Sequence, residues 1–250
     1  MKITLIGLGA EEGDLSVKAD EALRGATKIL ARTAHMPAFA CVEKYGAQPL
    51  DCIFESSRNF DTLNKKLAAA VLAAAKESDV VYCVDGAVCE DNACKMILAK
   101  HRDTVVFEGV SKAARAASLA HLKGGQYVSV SAYDIKNLKS APAAVVYDVD
   151  GDFAASEVKQ RLSELFGEEL DCSFIRGASV KKIKIYEIDR QKEYDCTCAV
   201  AVEEPEFLHK ERYDYADLLQ LVRMLRAPGG CPWDRVQTTD TIKQNMIEEA

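Results

Sequence analysis

Apolar residues recur along this chain with the periods of strands and helices in turn. Ile3 to Ile6 is a short apolar run that ends in Gly7 and Gly9, which predicts a buried strand. Asp14-Leu15-Ser16 then opens a helix to about Arg24, with Leu15, Ala19, Ala22 and Leu23 on one face. A second short strand is expected over 28–31. Leu63, Leu67, Val71 and Ala74 recur at helical spacing and predict a helix over 62–76. The continuous apolar run 79–84 suits the middle of a parallel sheet. Helix 91–100, strand 104–107 and helix 111–121 complete an alternation that predicts α/β with a largely parallel sheet.

The rhythm changes after Gly124-Gly125. Strands are expected over 126–132 and 143–149, a helix over 155–166, then strands over 170–175, 181–188 and 195–202. In the second of these three, Ile183, Ile185 and Ile188 stand against Lys182, Lys184 and Glu187. Strands joined by short turns predict antiparallel pairing. Glu203-Glu204-Pro205-Glu206 marks a linker. Beyond it Leu218, Leu219, Val222 and Leu225 define a helix from Tyr213, and Ile242, Met246 and Ile247 an apolar stripe over 240–250. The expected organisation is a mostly parallel first lobe over 1–110, a mixed second lobe over 111–203, a linker over 204–212 and an all-α fragment over 213–250.

Composition narrows the class. The 250 residues are 48% apolar and 28% charged, as in a globular protein of one or two domains. A formal charge of −7 argues against nucleic-acid binding, which needs a basic surface. The densest basic group, Lys181, Lys182 and Lys184, suits a solvated strand face. No leader pattern and no membrane-length apolar run occur, so a cytoplasmic protein without a membrane partner is expected. The nine cysteines show no Cys-x-x-Cys and no zinc spacing, and reduced, mostly buried thiols are expected. Cys196 and Cys198 should share one face of a strand.

Gly7-Leu8-Gly9 invites a dinucleotide reading, which fails. The third glycine position is Glu12, and the next strand ends Ala31-Arg32-Thr33 without the acid that would hold a ribose. A plain strand-to-helix turn with no ligand stays open. So does a ligand-binding turn, because glycine lets backbone approach closely. The order of motifs points further. Ile6-Gly7-Leu8-Gly9, Gly13-Asp14-Leu15-Ser16, Arg32-Thr33-x-His35-x-Pro37, Val80 to Gly86, and Gly109-Val110-Ser111 before an Ala-rich helix together resemble the tetrapyrrole (corrin/porphyrin) methylase family over about residues 2–203.

That resemblance implies two α/β lobes with S-adenosylmethionine in the cleft between them, a small-molecule acceptor and a homodimer. It also implies that Gly7, Gly9, Asp85, Gly86 and Ser111 line the cofactor, with Asp85 facing the sulfonium or the ribose hydroxyls. From the residues alone, Asp85 could equally be a solvated loop acid, Ser111 a helix N-cap and His35 a turn residue. A side chain at Gly86 is expected to enter the cleft and block the cofactor without harming the fold. Two departures stand out: Ala10 follows Gly9, and Ala87-Val88 follows Gly86, where the family favours proline. Looser cofactor loops are expected from this. A methyltransferase with a divergent acceptor and a non-catalytic binding lobe are both compatible. No catalytic residue is singled out, since transfer from an activated methyl donor rests on positioning.

The last segment carries a second resemblance. Leu225-Arg226, Gly230-Cys231-Pro232-Trp233-Asp234, Gln237-Thr238 and Glu248-Glu249 look like the opening of the MazG family of nucleoside triphosphate pyrophosphohydrolases. The resemblance implies that Glu248 and Glu249 supply half of a magnesium site, completed by a glutamate one turn further along the same helix and by carboxylates of a later Glu-x-x-Asp helix. Trp233 would stack on a base or anchor a core; both remain open. The expectation is part of a longer methylase–MazG fusion, in which this chain's hydrolase segment is not competent alone.

Overall fold

A computed structural model of the chain describes residues 1–57, 59–139 and 141–249. They form two compact units, Met1–Glu204 and Pro205–Ala250. Ala250, the last residue of the expected final helix, lies outside the described residues.

The first unit is α/β with two five-stranded sheets. Its first sheet is built from β1 (Ile3–Gly7), β2 (Ile29–Ala31), β3 (Gln48–Pro49), β4 (Val80–Val84) and β5 (Thr104–Phe107), in the order β3-β2-β4-β1-β5, with every pairing parallel. Three helices come early: α1 (Val17–Arg24), α2 (Ala40–Glu43) and α3 (Asp51–Glu55). α4 (Phe60–Ala74) and α5 (Asn92–Lys100) follow. β4 is buried at all five positions because both faces of the sheet are covered. Ile3, Leu5, Val80 and Tyr82 pack with Leu67 and Val71 of α4 and Ile97 of α5. Ile6, Ile29, Ala31, Val81 and Cys83 face the other way, toward Ala19 and Leu23 of α1.

The second sheet joins β6 (Val128–Ser131), β7 (Ala143–Tyr147), β8 (Asp171–Arg176), β9 (Ser179–Lys184) and β10 (Cys198–Glu203) in the order β6-β7-β10-β8-β9. β6 and β7 run parallel and the other pairings are antiparallel. α6 (Lys112–Leu119) covers one face: Ala113, Ala116 and Ala117 meet Val145, Tyr147 and Ala199. α7 (Asp152–Phe166) covers the other, where Ala155, Val158 and Leu162 meet Val146, Val200 and Phe174.

Two local expectations are corrected. The strand expected over 181–188 stops at Lys184, and Ile185–Arg190 is a 3-10 turn. Ile185 and Ile188 are both buried, and their three-residue spacing is the period of that turn. The Glu187 carboxylate accepts the Lys184 N–H and starts it. The strand expected from 195 begins at Cys198, so Cys196 does not share its face. Asp195 accepts hydrogen bonds from the Thr197 backbone N–H (2.8 Å) and hydroxyl, which makes a turn of 195–197.

The second unit carries α8 (Tyr215–Arg226), α9 (Pro232–Val236) and α10 (Thr239–Glu249). Asp214 caps α8 and Pro232 opens α9 at a position where its missing N–H costs nothing. No helix of the described residues is long and apolar enough to cross a membrane.

Candidate functional site

In an open parallel sheet, ligands gather outside the carboxyl ends of the strands. Here the loops after β1, β4 and β5 meet at that edge. Gly9 and Gly86 pair antiparallel through their backbones at 3.2 and 2.7 Å. A Cβ at Gly109 would lie 2.3 Å from the Gly86 carbonyl oxygen and 2.6 Å from the Gly7 carbonyl carbon. Glycine is needed at this junction for loop-on-loop packing. The structure therefore brings Gly7, Gly9, Asp85, Gly86 and Ser111 together, and of these Asp85 lines the large cavity.

Gly86 has φ of +68°, and a Cβ there would lie 2.6 Å from Glu90 Oε2 and 2.8 Å from Lys112 Cγ. The expectation that a side chain would simply enter the cleft is corrected: it would collide with the chain itself.

Glu90 organises this edge. Its carboxylate accepts the Ser111 hydroxyl at 2.7 Å, the backbone N–H groups of Lys112 and Ala113 at 3.0 and 3.1 Å, and that of Ala87 at 3.0 Å. A helix N-terminus favours negative charge, and at α6 the chain supplies its own. Ser111 Oγ also accepts from the Ala114 N–H at 3.0 Å and is the N-cap of α6. The expectation of loose loops is corrected at both positions where proline was awaited. The Ala10 N–H, which a proline would lack, donates to Asp14 Oδ2 at 2.9 Å, and the Ala87 N–H donates to Glu90.

Between the two sheets lies a cavity of about 710 Å3, well inside the range of roughly 300–1,000 Å3 usual for small-molecule sites. The first lobe contributes Arg32, Phe54, Phe60, Asp85 and Asp91. The second contributes Lys112, Ser131, Tyr133, Asp148 and Asp150. Lys112 Nζ donates to Asp85 at 3.1 Å and to Asp148 at 2.6 Å. Burial opposes its charge, but Asp148 and Asp85 outweigh that and raise its pKa. Burial pushes the Asp85 carboxyl up, yet the Lys112 and Arg32 cations prevail and hold it below the usual carboxylate range.

Asp148 follows β7 with φ of 61°, a conformation uncommon outside glycine. It also accepts the Ser131 hydroxyl at 2.8 Å. Arg32 donates to Asp91 at 2.5 Å and to Asn64 Oδ1 at 3.0 Å. The Tyr133 ring stacks on Phe60 with centroids 3.3 Å apart, and its hydroxyl donates to Asp150. Burial raises the pKa of Asp150, and Asp148 adds to this against the hydrogen bond from Tyr133. His35 and Cys196 also line the cavity, with the Cys196 thiol donating to the His35 carbonyl at 3.6 Å.

Sequence reasoning missed Glu90, Lys112, Tyr133, Asp148 and Asp150. One signal was readable: Asp148 directly follows a fully apolar strand, where cleft residues of this fold class are found. In the second unit, Trp233 is 78% exposed on α9, and Glu248 and Glu249 are exposed on the last turn of α10. Adjacent helical residues point about 100° apart. Among the described residues no cluster of three or more metal-binding side chains occurs. Glu248 and Glu249 alone make no such cluster.

Two α/β lobes enclose a cavity at the carboxyl edge of a parallel sheet, and this arrangement defines a two-lobed α/β fold with an interlobe cleft. The family model for tetrapyrrole (corrin/porphyrin) methylases matches residues 2–191, and the chain belongs to that family. Its members are S-adenosylmethionine-dependent methyltransferases. A protein of Bacillus subtilis strain 168, uncharacterized protein YabN, is 27% identical over 267 residues, or 99% of this chain and 54% of that one. The chain thus spans about half the length of the curated relative it matches. Among solved structures, uroporphyrin-III C-methyltransferase from Thermus thermophilus has a TM-score of 0.61 at 16% identity, over 81% of this chain and 94% of that one. Diphthine synthase has 0.57 at 15%, over 92% and 98%. At such identities these two share the fold.

S-adenosylmethionine carries a sulfonium, an ammonium, a carboxylate and ribose hydroxyls. The cavity fits it in room and in sign, for its wall is rich in carboxylates that suit cations and hydroxyl donors. Asp85 and Asp148 are the residues that would hold it. The α6 N-terminus, which would suit the anionic end, is occupied by Glu90.

Proposed function

We propose that the cleft between the lobes binds S-adenosylmethionine beside a small acceptor and serves methyl transfer between them. The observation that carries this reading is the cavity of about 710 Å3, lined by both lobes at the carboxyl edge of the parallel sheet. When bound, the cofactor supplies a methyl group already activated on a positive sulfur. The chain's own contribution is positioning. Asp85 and Asp148 set negative charge on the wall, Phe54, Phe60 and Tyr133 exclude water, and Asp150 can take a proton from the acceptor. The test is transfer of label from methyl-labelled S-adenosylmethionine to candidate acceptors, scored by mass. Transfer supports the reading; saturable cofactor binding without transfer to any acceptor contradicts turnover.

A second reading, a non-catalytic S-adenosylmethionine-binding regulatory lobe, is favoured by one observation. The Lys112 ammonium already engages Asp85 and Asp148, two of the carboxylates a cationic ligand would use.

We further propose that residues 213–250 are the opening of a MazG-type nucleoside triphosphate pyrophosphohydrolase module. The Gly230 to Asp234 motif supports this, as does the local structure around it, in which the Arg226 guanidinium donates to the Asp234 and Gln237 carbonyls at 2.9 Å. Magnesium-dependent release of pyrophosphate by a full-length relative, lost on Trp233→Ala, would support the assignment.

A further inference from the structure

The cavity wall is strongly unbalanced in charge. Eight carboxylates line it against two cations, Arg32 and Lys112. Both cations are spent within the chain, Arg32 on Asp91 and Lys112 on Asp85 and Asp148. An acceptor bearing several carboxylates would find no unpaired cation among the described lining residues and would face like charge on most sides.

The imbalance is organised around one aromatic wall. Phe60 and Tyr133 stack face to face across the two lobes, 20° from parallel. Two carboxylates flank that pair. Asp150 accepts the Tyr133 hydroxyl, and Asp134 accepts Asn92 Nδ2 at 3.1 Å. Both are held by neutral donors and neither is ion-paired among the described residues, in contrast to Asp91. Aromatic surface beside carboxylates is the chemistry that recognises a planar organic cation, through cation–π attraction and Coulomb attraction together.

We propose that the acceptor subsite of this cleft, formed by Phe60, Tyr133, Asp134 and Asp150, takes a planar cationic nitrogen base and rejects polycarboxylated tetrapyrroles. The word acceptor rests on the methyl-transfer reading; the charge selectivity does not.

The experiment uses two fluorescent probes on the full chain: proflavine, a planar aromatic cation, and uroporphyrin III, which bears eight carboxylates. Each is titrated at low and at moderate salt against the wild type and the double variant Asp134→Asn with Asp150→Asn. The amides still accept the bonds from Asn92 and Tyr133, so the variant should fold with an unchanged melting curve. The expected result is saturable proflavine binding that weakens with salt and falls roughly tenfold or more in the variant, with no saturable uroporphyrin binding. Uroporphyrin binding more tightly than proflavine would overturn the proposal, as would proflavine affinity unchanged in the variant. Calorimetry with S-adenosylmethionine on the same samples separates the two claims. Absence of cofactor binding with the probe pattern intact would count against methyl transfer alone. Cofactor binding together with tight uroporphyrin binding would count against the subsite alone.

Discussion

Asp85, on the loop after the central strand of the first lobe, accepts a hydrogen bond at 3.1 Å from Lys112, in the first turn of the second lobe's first helix. The same ammonium reaches Asp148 at 2.6 Å. One cation thus holds two carboxylates at the floor of the cleft. Lys112→Met keeps the apolar stem and removes the charge, which leaves two partly buried carboxylates facing each other. The expected loss is about 3 kcal/mol at pH 7. Its pH dependence has a definite sign. In the wild type the Asp85 pKa is depressed, so its stabilisation is present above the unfolded value near 4 and is lost as pH falls below it. Without the ammonium, burial raises that carboxyl, and protonation relieves the variant. The gap between the two proteins in urea unfolding should narrow from pH 7 to pH 4. A gap constant with pH would contradict the arrangement.

Glu90 seals the N-terminus of α6 with hydrogen bonds from Ser111, Lys112 and Ala113. Glu90→Ala should cost about 2–3 kcal/mol by leaving several donors unpaired. It should also create an anion site, since the freed N–H groups of Lys112 and Ala113 lie at a helix N-terminus, where sulfate binds. Added sulfate is expected to raise the melting temperature of the variant more than that of the wild type. Equal shifts would show that Glu90 does not occupy an anion position.

Gly109→Ala places a methyl 2.3 Å from the Gly86 oxygen and 2.6 Å from the Gly9 nitrogen, all backbone. About 3 kcal/mol or more of destabilisation is expected. Gly25→Ala is the matched control. Nothing lies within 4 Å of its Cβ, and φ is −91°. That variant should match the wild type or gain about 0.5 kcal/mol. Thermal melts of the pair decide whether the three-loop junction is as tight as described.

Thiol labelling reads the cleft directly. Burial, with Asp85 adding to it, pushes the Cys196 thiol up to about 11, so at pH 8 it is scarcely ionised. Cys52 is exposed. Alkylation followed by peptide mapping should modify Cys52 early, Cys196 slowly, and the buried Cys83, Cys94 and Cys172 only on unfolding. A cleft ligand should slow Cys196 further. Early loss of Cys196 would mean that the cavity wall is open to solvent.

The parts legible in the sequence are those set by short-range pattern. Val80 to Val84 is apolar at every position because the strand is covered on both faces. The glycines of the front loop are visible because backbone contact leaves no room for a side chain. The machinery of the cleft is written differently. Glu90 caps a helix that starts 22 residues later, and Lys112 meets carboxylates 27 and 36 positions away. No local periodicity marks such pairs. Tyr133 and Phe60 stack across 73 residues, and each alone resembles an ordinary core aromatic. The turn at Ile185–Arg190 was hidden because alternation from Ile183 to Ile185 fits a strand. Only the buried Ile185–Ile188 spacing betrays the change of period.

Isothermal titration of the chain with S-adenosylmethionine tests the central claim most directly. The account predicts saturable heat for one site per chain, with affinity on the order of micromolar to sub-millimolar, and protection of Cys196 at the same concentrations. Absence of heat, of thermal shift and of thiol protection at a cofactor concentration on the order of millimolar would contradict the assignment of this cleft.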